Sequence, residues 1–209
     1  MMMERLSPGP VRPPGRRERN KQKVRQRLYT SALALFTENG YDQTSIDEIA
    51  ELADVARGTF FNYFQRKEDL ISEWGHERRA KLRERLAEPV PEVRETTEVR
   101  LRRCVAALAE INEEERGTTS AMLMAWVRAG RPLLEEPYAS EIFAEVIEAG
   151  LAHGEVSPGV SAQQVSNVMR DAYLGTLYRW AQADEGGPAL QAELDSVLGI
   201  LLHGILAPA

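Results

Sequence analysis

Breakers cut this chain into segments that are each long enough for a helix and patterned for little else. Glycine and proline fall at Gly40, at Pro89 and Pro91, at Gly117, from Gly130 to Pro132, at Pro137, from Gly154 to Gly159 and from Gly186 to Pro188. Between them apolar residues recur at steps of three and four, and no run of useful length alternates with the period of two that a half-buried strand requires. The expected fold class is all-α, without sheet or internal repeat. The spacing predicts helices from about residue 20 to Gly40 and near 68 to 87, 93 to 113, 118 to 129, 138 to 152, 161 to 183 and 189 to 206, with two much shorter ones between Thr44 and Phe64.

Charge is distributed unevenly over these segments. The net charge of −6 divides into +4 for residues 1 to 67 and −10 for residues 68 to 209, a basic head on an acidic body. The first 19 residues, with Pro8, Pro10, Pro13, Pro14, Gly9 and Gly15, read as a mobile arm. Its end and the turns after it carry Arg16, Arg17, Arg19, Lys21, Lys23, Arg25 and Arg27, a density suited to phosphate. Two domains are expected after the arm, 20 to 67 and 68 to 209. Cys104 is the sole cysteine, so no intrachain disulfide is possible. It reads as a small buried helix residue, with a redox role through neighbouring Arg102 and Arg103 as the other option. Met1 to Arg17 lacks the apolar core of a secretory leader, and Val197 to Leu206 is about half the length of a bilayer span. A cytoplasmic protein with no membrane partner is expected.

The segment from 20 to 67 carries the functional signal. Leu28, Ala32, Leu35 and Phe36 share one helix face, and Gly40 ends that helix. Thr44 opens Thr-Ser-Ile-Asp, an N-cap with an acid at Asp47, followed by Ile46, Ile49, Ala50 and Ala53 at helical spacing. After a break at Asp54 and Val55, Phe60 and Phe64 point together into the core, which turns Arg57, Thr59, Phe61, Asn62 and Tyr63 outward. Two aromatics on the outside of so short a helix suit a solvated surface poorly and a DNA groove well. Arg57 offers a fork for guanine or phosphate, Asn62 can pair with adenine and Phe61 can meet a thymine methyl. Thr59 and Tyr63 can reach phosphate oxygens, Gly58 lets the helix start press into the groove, and Lys67 stands ready for backbone contact. Thr44 and Ser45 complete the candidate set. The competing reading has Phe61 and Tyr63 finish the core and Gly58 incidental.

The stretch Thr44-Ser45-Ile46-Asp47-Glu48-Ile49-Ala50, then Ala53-Asp54-Val55-Ala56-Arg57-Gly58-Thr59-Phe60-Phe61-Asn62-Tyr63-Phe64, then Lys67-Glu68-Asp69-Leu70, closely resembles the DNA-binding domain of the TetR (tetracycline-repressor) family. The resemblance covers about residues 22 to 71. It implies a three-helix DNA-binding head, a two-fold dimer built on a four-helix bundle of the last two helices, and a body that senses a small molecule. The chain departs from the family pattern at Asp54 for glycine, Ala56 for serine, Phe60 for leucine and Phe61 for tyrosine. Ala56 cannot cap the recognition helix as serine would, a loss of about 1 kcal/mol.

The body supplies the other two expectations. Val165, Val168, Met169, Ala172, Tyr173, Thr176, Leu177 and Trp180 form one apolar stripe, and Leu190, Leu194, Val197, Leu198, Leu201 and Ile205 another, with Ile200, Leu202 and Leu206 on a second face. A second subunit would cover that excess, with Val165, Val168, Ala172, Thr176, Trp180, Leu194, Val197, Leu198, Leu201 and Ile205 expected at the interface; the alternative is a larger monomer core. Trp74, Met122, Met124, Trp126, Tyr138, Phe143, Tyr173 and Tyr178 could line a cavity for an apolar effector or could be plain core. The −10 charge favours cationic compounds. No cofactor or metal is expected, because His76, His153 and His203 lack helical ligand spacing. Neither a phosphate loop nor a nucleophile elbow is visible, so an enzyme is not expected. A ligand-released, palindrome-binding regulator is the leading reading, with a helical protein-interaction scaffold as its rival.

Overall fold

The computed structural model describes residues 15–88, 95–130, 139–184 and 186–204, and helices are the regular elements among them. The first, α1 (Arg16–Asn39), starts four residues before the boundary expected near residue 20. Gly15 is its N-cap, and the first two turns are fully solvated, so no core residue announces them. The first 14 residues of the expected arm lie outside the described residues. Gly40 ends α1 at φ 81°, a left-handed conformation that glycine adopts without penalty, and its N–H donates to the Phe36 carbonyl at 3.1 Å.

The next helix, α2 (Ile46–Leu52), is opened by Ser45 rather than Thr44. The Glu48 N–H donates to Ser45 Oγ at 3.2 Å and the Ser45 N–H to the Glu48 carboxylate at 2.7 Å, a closed capping box one residue later than the expected pair. Thr44 is buried, with its hydroxyl 2.9 Å from the Gly40 carbonyl and 3.2 Å from that of Leu35. Then comes α3 (Arg57–Phe60), one turn long, with turn hydrogen bonds continuing to Phe64. Its N-cap, Ala56, makes no side-chain bond.

Phe60 and Phe64 join Leu28, Phe36, Ile49 and Leu70 in the first of two apolar cores. From there α4 (Glu68–Ala87) runs into the body, with Trp74 in the first core and Leu82 in the second. The body is formed by α5 (Thr97–Glu114), α6 (Arg116–Arg128), α7 (Ala139–Ala152), α8 (Ala162–Gln182) and α9 (Leu190–His203). Like α4, α6 serves both cores: Met122 and Ala125 pack in the first and Leu123 in the second. Two helices therefore tie the head to the body.

Cys104 is buried, and burial pushes its thiol up to about 11, against the lowering by Arg103. So little thiolate near neutral pH suits a packing role and opposes redox sensing. No helix among the described residues is long and apolar enough to cross a membrane.

Candidate nucleic-acid interface

Burying Phe60 and Phe64 fixes the rotation of the α3 turn and thereby decides what faces out. Arg57, Gly58, Phe61 and Asn62 are exposed, and Thr59 and Tyr63 are half-buried. Phe61 keeps 46% of its surface in solvent while its ring edge packs on Phe60 at 5.5 Å between centroids. An aromatic packed edge-on against its neighbour and left wet at the end of a helical turn is suited to face a groove. Arg57 meets Asp47 of α2 at 2.5 Å, with both side chains open to solvent. Beside the turn, Asn62 and Tyr63 share a concavity of about 340 Å³ with Glu18, Lys21, Gln22 and Arg25 of α1.

Several of the expected contacts are committed elsewhere. Lys67 Nζ donates to the Tyr41 carbonyl at 2.6 Å and to that of Thr44 at 2.9 Å, and sits 4.0 Å from the centre of the Tyr41 ring. Burial lowers the pKa of this ammonium, against the raising by Glu68 and Asp42. Lys67 thus locks the α1–α2 connection, which corrects its assignment to the DNA backbone. Thr44 is corrected likewise, because its hydroxyl is spent inside the fold. Ser45 remains exposed, but its side chain serves the cap. Arg25 turns inward to Glu73 at 2.6 Å, the Tyr63 carbonyl at 3.3 Å and the face of Phe64.

Asp54, where the family pattern has glycine, has φ 53°. The turn demands a left-handed residue, which aspartate tolerates better than most side chains. Its carboxylate is almost wholly exposed and 3.9 Å from Arg27. Periodicity could not reveal this backbone requirement.

Of the eight aromatic and methionine residues offered for an effector cavity, the seven that are described do not gather in one cluster. Trp74 and Met122 lie in the head core, Phe143 and Tyr173 in the body core, and Trp126 touches both. Tyr178 is 37% exposed and faces outward, which corrects its assignment. Tyr173 accepts from the Asn112 amide at 3.1 Å. Met124 is half-buried on α6, and Tyr138 lies outside the described residues.

The expected dimer stripe also divides. Thr176, Trp180, Leu194 and Leu198 are buried in the subunit's own core, which corrects their assignment to an interface; Ile205 lies outside the described residues. Val165, Ala172 and Val197 are half-buried. Val168 (52%), Ile200 (50%), Leu201 (40%) and Leu202 (37%) stay exposed on α8 and α9.

A three-helix head with its second and third helices in helix-turn-helix order, carried on a helical body, defines a helix-turn-helix regulator. The family model described as bacterial regulatory proteins, tetR family, matches residues 28–74. FadR of Thermus thermophilus, a TetR-family transcriptional repressor solved in complex with lauroyl-CoA, superposes with a TM-score of 0.69 at 30% identity, over 88% of this chain and 96% of that one. The fatty acid metabolism regulator protein of Bacillus subtilis (strain 168) is 25% identical over 183 residues, 85% of this chain and 93% of that protein. Similarity to the regulator TcmR of Streptomyces glaucescens, 40% identical over 57 residues, spans 27% of this chain and only 25% of TcmR. The chain belongs to the TetR family of transcriptional regulators. Its members are DNA-binding regulators, not enzymes.

Proposed function

We propose that this chain is a dimeric repressor that reads a palindromic operator through the outer face of the α3 turn and releases it when a long-chain acyl-CoA binds the body. The observation that carries the DNA part is the split across one helical turn, with Phe60 and Phe64 buried and Arg57, Phe61 and Asn62 exposed. The exposed apolar residues of α8 and α9 supply a surface for a second subunit, which a palindrome requires. The acyl-CoA part rests on similarity to the lauroyl-CoA-bound repressor over nearly the whole chain. The acidic body does not bar such an anion. On α4, Arg79 pairs with Glu141 at 3.6 Å and Arg83 with Glu141 and Glu145 at 3.7 Å, so a phosphate would recruit these cations by displacing carboxylates.

Release follows from how the head is attached. Because α4 and α6 each pack in both cores, a ligand that parts the body helices shifts the head and changes the separation of the two α3 turns. These must stand about 34 Å apart to enter successive major grooves. Lauroyl-CoA must bind the DNA-incompetent arrangement more tightly, with coupling of about 1 to 3 kcal/mol. The test is selection of an operator from random duplex, followed by titration of the complex with lauroyl-CoA, free CoA and a cationic amphiphile. Release by lauroyl-CoA alone is expected. Release by the cation alone, or by none of the three, overturns the acyl-CoA assignment.

A further inference from the structure

Asp47 is an unexpected residue to find on a face that meets DNA. It lies in the first turn of α2, yet the cap is made by Ser45 and Glu48, so helix α2 does not depend on it. Its Oδ2 stands 2.5 Å from Nη1 of Arg57, ten residues on, across the turn that joins α2 to α3. Both side chains are 60% exposed, so the pair adds little to folding. A bare carboxylate here would repel phosphate, and an arginine that has a carboxylate partner contributes little net charge to sequence-independent attraction. What the pair supplies is direction. One edge of the guanidinium is held, and the remaining donors form a planar fork whose orientation is fixed before DNA arrives.

We propose that Asp47 is a positioning residue for sequence readout: it holds Arg57 so that the free edge of the guanidinium addresses a guanine rather than a phosphate. This deepens the proposed function and rests on its reading of the α3 turn. Guanine presents O6 and N7 as two acceptors on one edge, the match for such a fork, whereas an unrestrained arginine would take whichever phosphate is nearer. The pair thus exchanges general affinity for discrimination at one base pair of each half-site.

The test is operator selection with the parent, Arg57→Ala, Asp47→Ala, Asp47→Asn and the Arg57→Ala/Asp47→Ala double variant, each checked for helicity and thermal midpoint. Discrimination is then measured by competition between the selected half-site and one altered at the base pair whose preference Arg57→Ala abolishes. Asp47→Ala is expected to lower discrimination there by about tenfold, part of what one bidentate contact supplies. Its affinity for unrelated duplex should rise, with a salt slope steeper by about 0.9 as Arg57 turns to phosphate. Asp47→Asn, which keeps an acceptor without the charge, should fall between. In the Arg57→Ala background, removing Asp47 should leave base preference unchanged. The proposal is overturned if Asp47→Ala changes affinity for all duplexes alike and keeps the preference, or if its effect is the same without Arg57. A parent that enriches no sequence would instead defeat the DNA reading itself and this inference with it.

Discussion

The guanidinium of Arg78 in α4 caps the broken end of α5 at the carbonyl of Ile111, 2.5 Å away. The chain breaks there because Glu115, between α5 and α6, has φ −124° and ψ 44°, which frees the last carbonyls of α5. Arg78 is 1% exposed and also donates to Glu115 at 2.9 Å and to Thr119 Oγ1 at 3.2 Å, while stacking on Trp74. One side chain therefore joins the helix that leaves the head to the kink between two body helices. Replacing it with alanine would leave a buried carbonyl unpaired and the tryptophan face bare. Arg78→Ala should cost about 3 kcal/mol by chemical unfolding, and Arg78→Lys, a point charge without the fork, should recover under half of it. A loss below about 1 kcal/mol would contradict this role.

Acid should loosen the same seam. Burial would raise the Glu77 carboxyl, but hydrogen bonds from Tyr29 (2.6 Å) and Lys81 outweigh it and hold it below its usual range. The hydroxyl of Tyr29 is pushed up, by burial first and then by that bond. A carboxyl lowered in the folded state stabilises above its unfolded pKa of about 4.3, and the contribution fades as pH falls through the lower folded value. The thermal midpoint should fall across that window, and less steeply in Tyr29→Phe, which removes the bond. Identical acid limbs in the two proteins would refute the assignment.

Lys67 and Phe61 should separate stability from binding. Lys67→Ala gives up two charge-assisted bonds to carbonyls and should destabilise the protein by about 2 kcal/mol. The salt slope of DNA binding by the molecules still folded should be unchanged. Phe61→Ala should cost under about 1.5 kcal/mol of stability, the edge contact with Phe60, yet weaken operator binding clearly. Calorimetry paired with binding isotherms reads both quantities.

At Asp54 the backbone and the charge can be tested apart. Asp54→Asn keeps tolerance for φ 53° while removing a carboxylate that partly occupies Arg27. DNA affinity should rise at near-constant stability. Asp54→Ala, ill suited to a left-handed turn, should destabilise by about 1 kcal/mol. Equal stability of the two variants would show that the turn imposes no such demand.

The exposed faces of α8 and α9 should hold the subunits together. Val168→Glu combined with Ile200→Glu places charge on side chains half open in the single chain, so folding should survive while sedimentation reports a monomer. Operator affinity should fall with it. A dimer of unchanged mass would relocate the interface.

The sequence was most legible where packing and punctuation agreed. Phe60 and Phe64 are four apart and bury together, and Gly40 sits where a left-handed residue is needed. The capping box falls one residue after the expected pair because Thr44 and Ser45 carry the same hydroxyl chemistry, and only tertiary contact with Leu35 and Gly40 draws Thr44 inward. Lys67 looks solvent-facing in the sequence because nothing local announces two carbonyls more than twenty residues away. Thr176, Trp180, Leu194 and Leu198 pack in the subunit's own core although their stripe suits a partner equally well, because a stripe shows which residues are buried together, not whether a neighbouring helix or a second chain buries them. Arg78 was invisible for a related reason: among so many solvated arginines, no pattern marks the buried one.

The most direct measurement of the central claim is the affinity of the protein for a selected palindrome, against the same duplex with one half-site scrambled, across a range of salt. Outer faces of two α3 turns engaging successive grooves predict two chains per duplex, a steep fall of affinity with salt, and a large loss on scrambling. Equal affinity for both duplexes, or one chain bound per palindrome, would contradict it.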